Sequence, residues 1–136
     1  MGSLSNYLEN ELLDHIVGKG SYTMPTAFIA LCTADPTDAG TGASMNEVAN
    51  SGAYHRQETS ASDWNAASGG EIDNANQITF PEATASWGTV THFAIVDSGS
   101  YGQGNMLAHG SLATARDVKS GDTLYFDAGD LSLTLD

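Results

Sequence analysis

The chain has 136 residues, 40% of them hydrophobic and 8% aromatic, with seventeen acidic residues against four basic ones and a formal net charge of −13. That length suits one domain, residues 1–136, able to bury about two-thirds of the surface its unfolded chain exposes, and the apolar content is too high for a disordered chain. Lys19, Arg56, Arg116 and Lys119 are scattered, so neither a nucleic acid nor an anionic membrane is expected as a partner: both draw on clustered cations.

The opening stretch, "MGSLSNYLENELLDHIVGKG", has neither the basic start nor the unbroken apolar core of a secretion signal, and the chain is read as a soluble protein made inside the cell. No apolar run approaches the roughly 20 residues of a membrane span. Leu4, Leu8, Leu12 and Ile16, with Tyr7 and Leu13, recur at helical spacing and predict a helix over residues 3–18. Ser3 or Ser5 would cap it, and Gly18 and Gly20 would close it. Its apolar face, Leu4, Tyr7, Leu8 and Leu12, must be covered by the domain's own sheet or by a neighbouring subunit; both remain open.

After Pro25 the pattern changes. "AFIALCT" has the length of a buried strand and ends in the turn formers of "ADPTDAGTG". "AYHRQE", "NQITF", "VTHFAIVD", "MLAHGSL", "DTLYFD" and "LSLTL" follow as short strands separated by Gly, Ser, Asn and Asp, with no second helical pattern and no fixed-period repeat. The expectation is an all-β fold: a β-sandwich or jelly roll over residues 26–136 with one N-terminal helix.

Chemistry is sparse. No G-x-S-x-G context surrounds a serine, and His92 and His109 fall inside strands, where hydrogen bonding to a neighbour accounts for them better than a catalytic role. Cys32 is the single cysteine, with no activating base in its vicinity, and is read as a small buried apolar residue. "DPTDAGTGASMNE" lacks the spacing of a calcium loop, and the glycines of "GSYGQGN" lead into no helix, so neither a metal nor a nucleotide cofactor is expected. Trp64 and Trp87 could stack on a sugar ring as in carbohydrate-binding modules, although core or subunit contacts are commoner for such aromatics. Arg56 either pairs with an acidic residue across an interface or lies on the surface.

The segments "LSNYLENELLDHIVG", "SYTMPTAFIALCTADPTDAGTG", "GAYHRQ", "ITFPEATASWGTVTHFAI", "NMLAHGSL" and "SGDTLYFDAGDLSLTLD" occur in an order that resembles a family of small virion proteins of tailed bacteriophages. These are often labelled phage tail fibre proteins and are similar in scale to head decoration, or cement, proteins. The resemblance is most specific in "WGTVTHF" and weakest over residues 43–51. It implies a non-enzymatic particle component without catalytic residues. A short chain with no repeats suits a decoration protein better than a fibre shaft, giving the expectation of a homotrimer bound in many copies to the major capsid protein on the outer capsid surface. A tail-associated fibre or baseplate protein is the alternative, and a carbohydrate-binding module the third reading. Contact residues on this reading are Leu4, Tyr7, Leu8, Leu12, Arg56 and Trp64.

Overall fold

The computed structural model describes residues 2–135. In chain order its elements are β1 (Gly2–Leu4), α1 (Asn6–Ile16), β2 (Phe28–Cys32), β3 (Gln57–Glu58), a 3-10 turn (Ala61–Asp63), β4 (Glu71–Asp73), β5 (Ile78–Thr79), β6 (Gly88–Val96), β7 (Met106–Val118), β8 (Tyr125–Phe126) and β9 (Ser132–Thr134). Seven strands form one sheet in the order β3-β2-β6-β7-β1-β9-β4, and β5 pairs with β8 as a separate ribbon. The chain is all-β with one helix, as its sequence implies. The second layer is thin, made of the two-stranded ribbon and long loops.

The centre of the sheet explains the apolar runs. β2 and β6 pair antiparallel from Phe28↔Val96 to Cys32↔His92, and both faces of this pair are covered, so inward and outward positions alike are apolar. On one face Ile29, Leu31, Phe93 and Ile95 join Tyr54, Phe80, Trp87 and Phe126 in the main core. On the other, Ala30, Cys32, Ala94, Val96 and Met106 pack under Met45 from the long loop after β2. That loop is held further by His109 of β7, whose Nε2 lies 2.7 Å from Asp38 Oδ1. Burial, helped by the Glu47 carboxylate, pushes the Cys32 thiol up to about 12.

β7 is longer than its neighbours because it carries an insertion. Between the pairs His92↔Ser111 and Val90↔Arg116 the chain advances two residues on β6 and five on β7, and the excess around Ala113–Ala115 is exposed. Near the opposite end β7 accepts β1, with Gly2 facing Gly110. Both positions must be glycine: a Cβ on Gly110 would stand 2.7 Å from the Phe93 ring, and one on Gly2 2.6 Å from the His109 carbonyl.

The helix is shorter than the expected 3–18. Gly2–Leu4 is extended, and Ser5 is the N-cap. Its hydroxyl accepts from the Leu8 N–H at 3.2 Å and donates to the Met106 carbonyl at 2.5 Å, while its own N–H donates to the Leu107 carbonyl at 2.9 Å. One buried serine therefore starts the helix and fixes it to β7.

Arg56 is neither on the surface nor free to cross an interface. Its side chain is 1% exposed and that of its partner Glu47 5%. Nε donates to Glu47 Oε2 at 2.9 Å, Nη2 to Glu47 Oε1 at 2.8 Å and to the Gly42 carbonyl at 3.0 Å, and Nη1 to the carbonyls of Ser98 and Gln103 at 2.8 and 2.9 Å. All five guanidinium N–H groups are thus used. Tyr54 completes the cluster, donating to Glu47 Oε2 at 2.6 Å and accepting from the Leu31 N–H at 3.1 Å. Burial alone would lower the arginine's pKa; the Glu47 carboxylate more than offsets this and holds it above its ordinary value. Gly42 fits here because a Cβ would stand 2.1 Å from the Gln103 carbonyl oxygen.

Three outcomes follow for the isolated protein. Arg56→Met should lower unfolding free energy by about 3–5 kcal/mol, because it strands a buried carboxylate; replacing Glu47 by Met as well should recover part of that loss in chemical denaturation. Ser5→Ala should cost about 1–2 kcal/mol by removing the cap and the buried hydrogen bond to the Met106 carbonyl. Cys32 should resist a maleimide at pH 8 in the folded protein and react once the chain is unfolded in denaturant.

Candidate functional site

The helix presents two apolar faces, and only one is used. Tyr7, Leu8, Glu11 and Leu12 are half-buried and lie on one side, with Tyr7 and Leu8 packed against the main core. Leu13 and Val17 point roughly the opposite way with Ile16 between the two faces, and Leu13, Ile16 and Val17 are 62%, 75% and 72% exposed. A series spaced every four residues drifts about 40° per step. Leu4 and Ile16 therefore could not share a face even in an unbroken helix, and Leu4 belongs to the strand before it.

Beside the helix the sheet is incompletely covered. A groove of about 690 Å3 opens there. Its floor is Ile95, Leu107, Ala108 and Leu133 on the main-core face of the sheet, with Ile72 at one end. Leu4 of β1 lies in the sheet between β7 and β9, Leu8 of the helix stands beside it, and Met24–Ala27 with Glu58–Ala61 and Trp64 complete the lining. Local hydrogen bonds shape this last part: Thr59 donates its N–H and hydroxyl to the Ala27 carbonyl, and the Trp64 indole N–H donates to Thr59 Oγ1 at 3.1 Å. Asp63 Oδ2 accepts from the Ser60 N–H at 2.9 Å and closes the 3-10 turn. That N–H first, and then the Asn76 side-chain amide, hold its carboxyl below the usual carboxylate range.

The expected contact residues divide accordingly. Leu4, Leu8 and Trp64 meet at the groove, Tyr7 and Leu12 lie on the inward helix face, and Arg56 is taken up by the buried cluster. Trp87 offers no platform to a sugar: it is 5% exposed, its N–H donates to the Gly52 carbonyl at 2.8 Å, and its ring stands edge-on to Tyr54 at 5.4 Å. Sequence reasoning missed the outward face made by Leu13, Ile16 and Val17 and the uncovered floor of the groove. Leu13 and Ile16 were visible at helical spacing, but nothing in the spacing separated inward from outward positions.

The histidines of the described residues are held by near neighbours, His109 by Asp38 as above. His92 Nδ1 lies 2.8 Å from Thr91 Oγ1, and His55 Nδ1 lies 3.1 Å from the Arg56 carbonyl. Among the described residues no group of three or more His, Cys, Asp or Glu side chains is placed to hold a metal ion. No described helix is long and apolar enough to cross a membrane. The arrangement can bind an apolar surface, and it brings a convex apolar helix end and a concave apolar groove onto one chain.

No curated protein matches the chain. One family model does, over residues 3–134, and its description is "Podophage GP4 fiber I protein gp80". The match takes in the helix, all of the groove and nearly the whole sheet, and on it the chain belongs to the podophage GP4 fiber I protein gp80 family of phage virion structural proteins.

Proposed function

We propose that this protein is a compact, non-enzymatic part of a podophage tail fibre, acting through surface contacts rather than chemistry. The observation that carries the reading is the family match across residues 3–134, which leaves almost no part of the chain outside it. The fold limits what part of a fibre this is. A shaft is elongated and repetitive, whereas this chain is a seven-stranded sheet with a two-stranded ribbon and no fixed-period repeat, which favours a globular segment, an adaptor or a tip. Self-association into a homotrimer fits such a place, with the helix-and-groove side supplying the contacts.

The compact fold favours one second reading, that of a decoration protein bound to the major capsid protein on the outer surface of the head. A cement protein works by binding free energy multiplied over many lattice sites and needs no more than a rigid body with a docking face. The strongly acidic surface suits either place, since it opposes nonspecific association.

The two addresses differ in copy number. Heads and tails of purified virions, separated and digested, should contain the protein in the tail fraction at a few tens of copies or fewer per particle by quantitative mass spectrometry. Hundreds of copies on heads, with none on tails, would overturn the fibre reading and establish the decoration one. Absence from the virion would overturn both.

A further inference from the structure

We propose that the helix end and the groove are two halves of one contact between copies of this chain: the Leu13, Ile16 and Val17 face of one copy sits in the Leu8–Trp64 groove of the next. This deepens the self-association proposed above by assigning its surfaces, and it concerns the purified protein, so it stands or falls independently of where the protein sits on the virion.

The occupant must be another molecule. Leu8 of the same helix lines the groove, and Leu13, Ile16 and Val17 lie beyond it on the same rigid helix, with Leu13 about 140° around the axis from Leu8, so the helix cannot fold into its own groove. Both surfaces are apolar and open, and an uncovered apolar patch of this kind marks an interaction site. An amphipathic helix laid into a groove through i, i+3 and i+4 anchors is a recurring way of meeting that need.

Charge selects a second copy as the occupant. A chain of net charge −13 repels itself, so self-contact needs a cation at the right place. Of the four lysines and arginines, Arg56 is paired with Glu47, Lys119 lies 3.6 Å from Asp117, and Arg116 donates to the Tyr125 carbonyl and lies over the Tyr125 and Phe126 rings. Lys19 makes no ion pair among the described residues, and it follows directly on the exposed Ile16 and Val17. On the groove side the wall carries Glu58, an exposed carboxylate at the sheet edge. Lys19 thus puts a cation without an ion-pair partner among the described residues beside the convex surface, and Glu58 puts an anion beside the concave one.

Each copy has one helix end and one groove, so every copy gives one end and accepts one, whether two copies exchange ends reciprocally or several join head-to-tail. This predicts complementation. Ile16→Asp removes the helix end, and Ala61→Trp fills the groove; both residues are exposed, so each variant should fold, as circular dichroism would verify. In sedimentation velocity the wild type should assemble, each variant alone should be monomeric, and a 1:1 mixture should give heterodimers through the one intact contact. Glu58→Lys should weaken wild-type assembly at least tenfold, and adding Lys19→Glu to the same chain should restore it.

A wild type that stays monomeric to millimolar concentration overturns the proposal. So does assembly unaffected by Ile16→Asp, or an Ala61→Trp variant that assembles as the wild type does, which would mean helix ends pack on one another. A mixture that remains monomeric overturns it as well, and would leave the groove to a different protein.

Discussion

The ion pair between Arg56 and Glu47 holds together the end of the sheet on which everything else rests. The bridge itself is 2.8 Å long and buried on both sides, but its structural effect comes from the carbonyls gathered around it. Gly42, Ser98 and Gln103 belong to two separate loops, and the arginine satisfies all three at once. Glu47 in turn carries Tyr54, whose hydroxyl receives the Leu31 N–H of β2 on the side where β3 does not reach. A buried pair contributes little net stability when compared with a well-packed apolar substitute. What it fixes is conformation: only one arrangement of these loops satisfies every donor and acceptor.

With that cluster closed, a broad apolar surface remains beside the helix. The ribbon of β5 and β8 covers the sheet over Phe80 and Phe126, and the loop after β2 covers the other face over Met45 and His109. Neither reaches the strip formed by Ile95, Leu107 and Leu133, where the groove lies. The helix is tied beside it by Ser5 and by the Asn6 N–H, which donates to the Asp38 carbonyl at 2.8 Å. It stands there with one face satisfied and one open. An apolar patch on a strongly acidic surface suits the contact proposed above and opposes indiscriminate ones.

The sequence was most readable where burial is two-sided. "FIALC" and "FAIV" are apolar at every position because both faces of β2 and β6 are covered, and such runs stand out without any periodicity. β1 and β4 were invisible for the opposite reason. Gly-Ser-Leu and Glu-Ile-Asp carry no strand pattern, and they become strands only because β7 and β9 offer them edges. "AYHRQE" was read as a strand, but only Gln57 and Glu58 pair, since Tyr54 and Arg56 turn inward to Glu47. A lone arginine nine residues from a glutamate has no sequence signature of burial, so Arg56 looked like a surface or interface residue. The helix was legible as a helix, and Leu4, Leu8 and Trp64 as candidates for contact; which of its faces the fold would leave open depends on the long-range tie between Ser5 and Met106.

The proposed assembly runs through the helix end and the groove and leaves the Arg56 cluster unchanged. Hydrogen–deuterium exchange on the dilute monomer and on the assembled state tests it most directly, because it reports every segment at once. The account requires new protection in residues 11–20 and 58–64, with residues 42–56 and 97–105 protected equally in both states. Protection gained instead around Tyr101 and the β6–β7 loop, with the helix end unchanged, would contradict it.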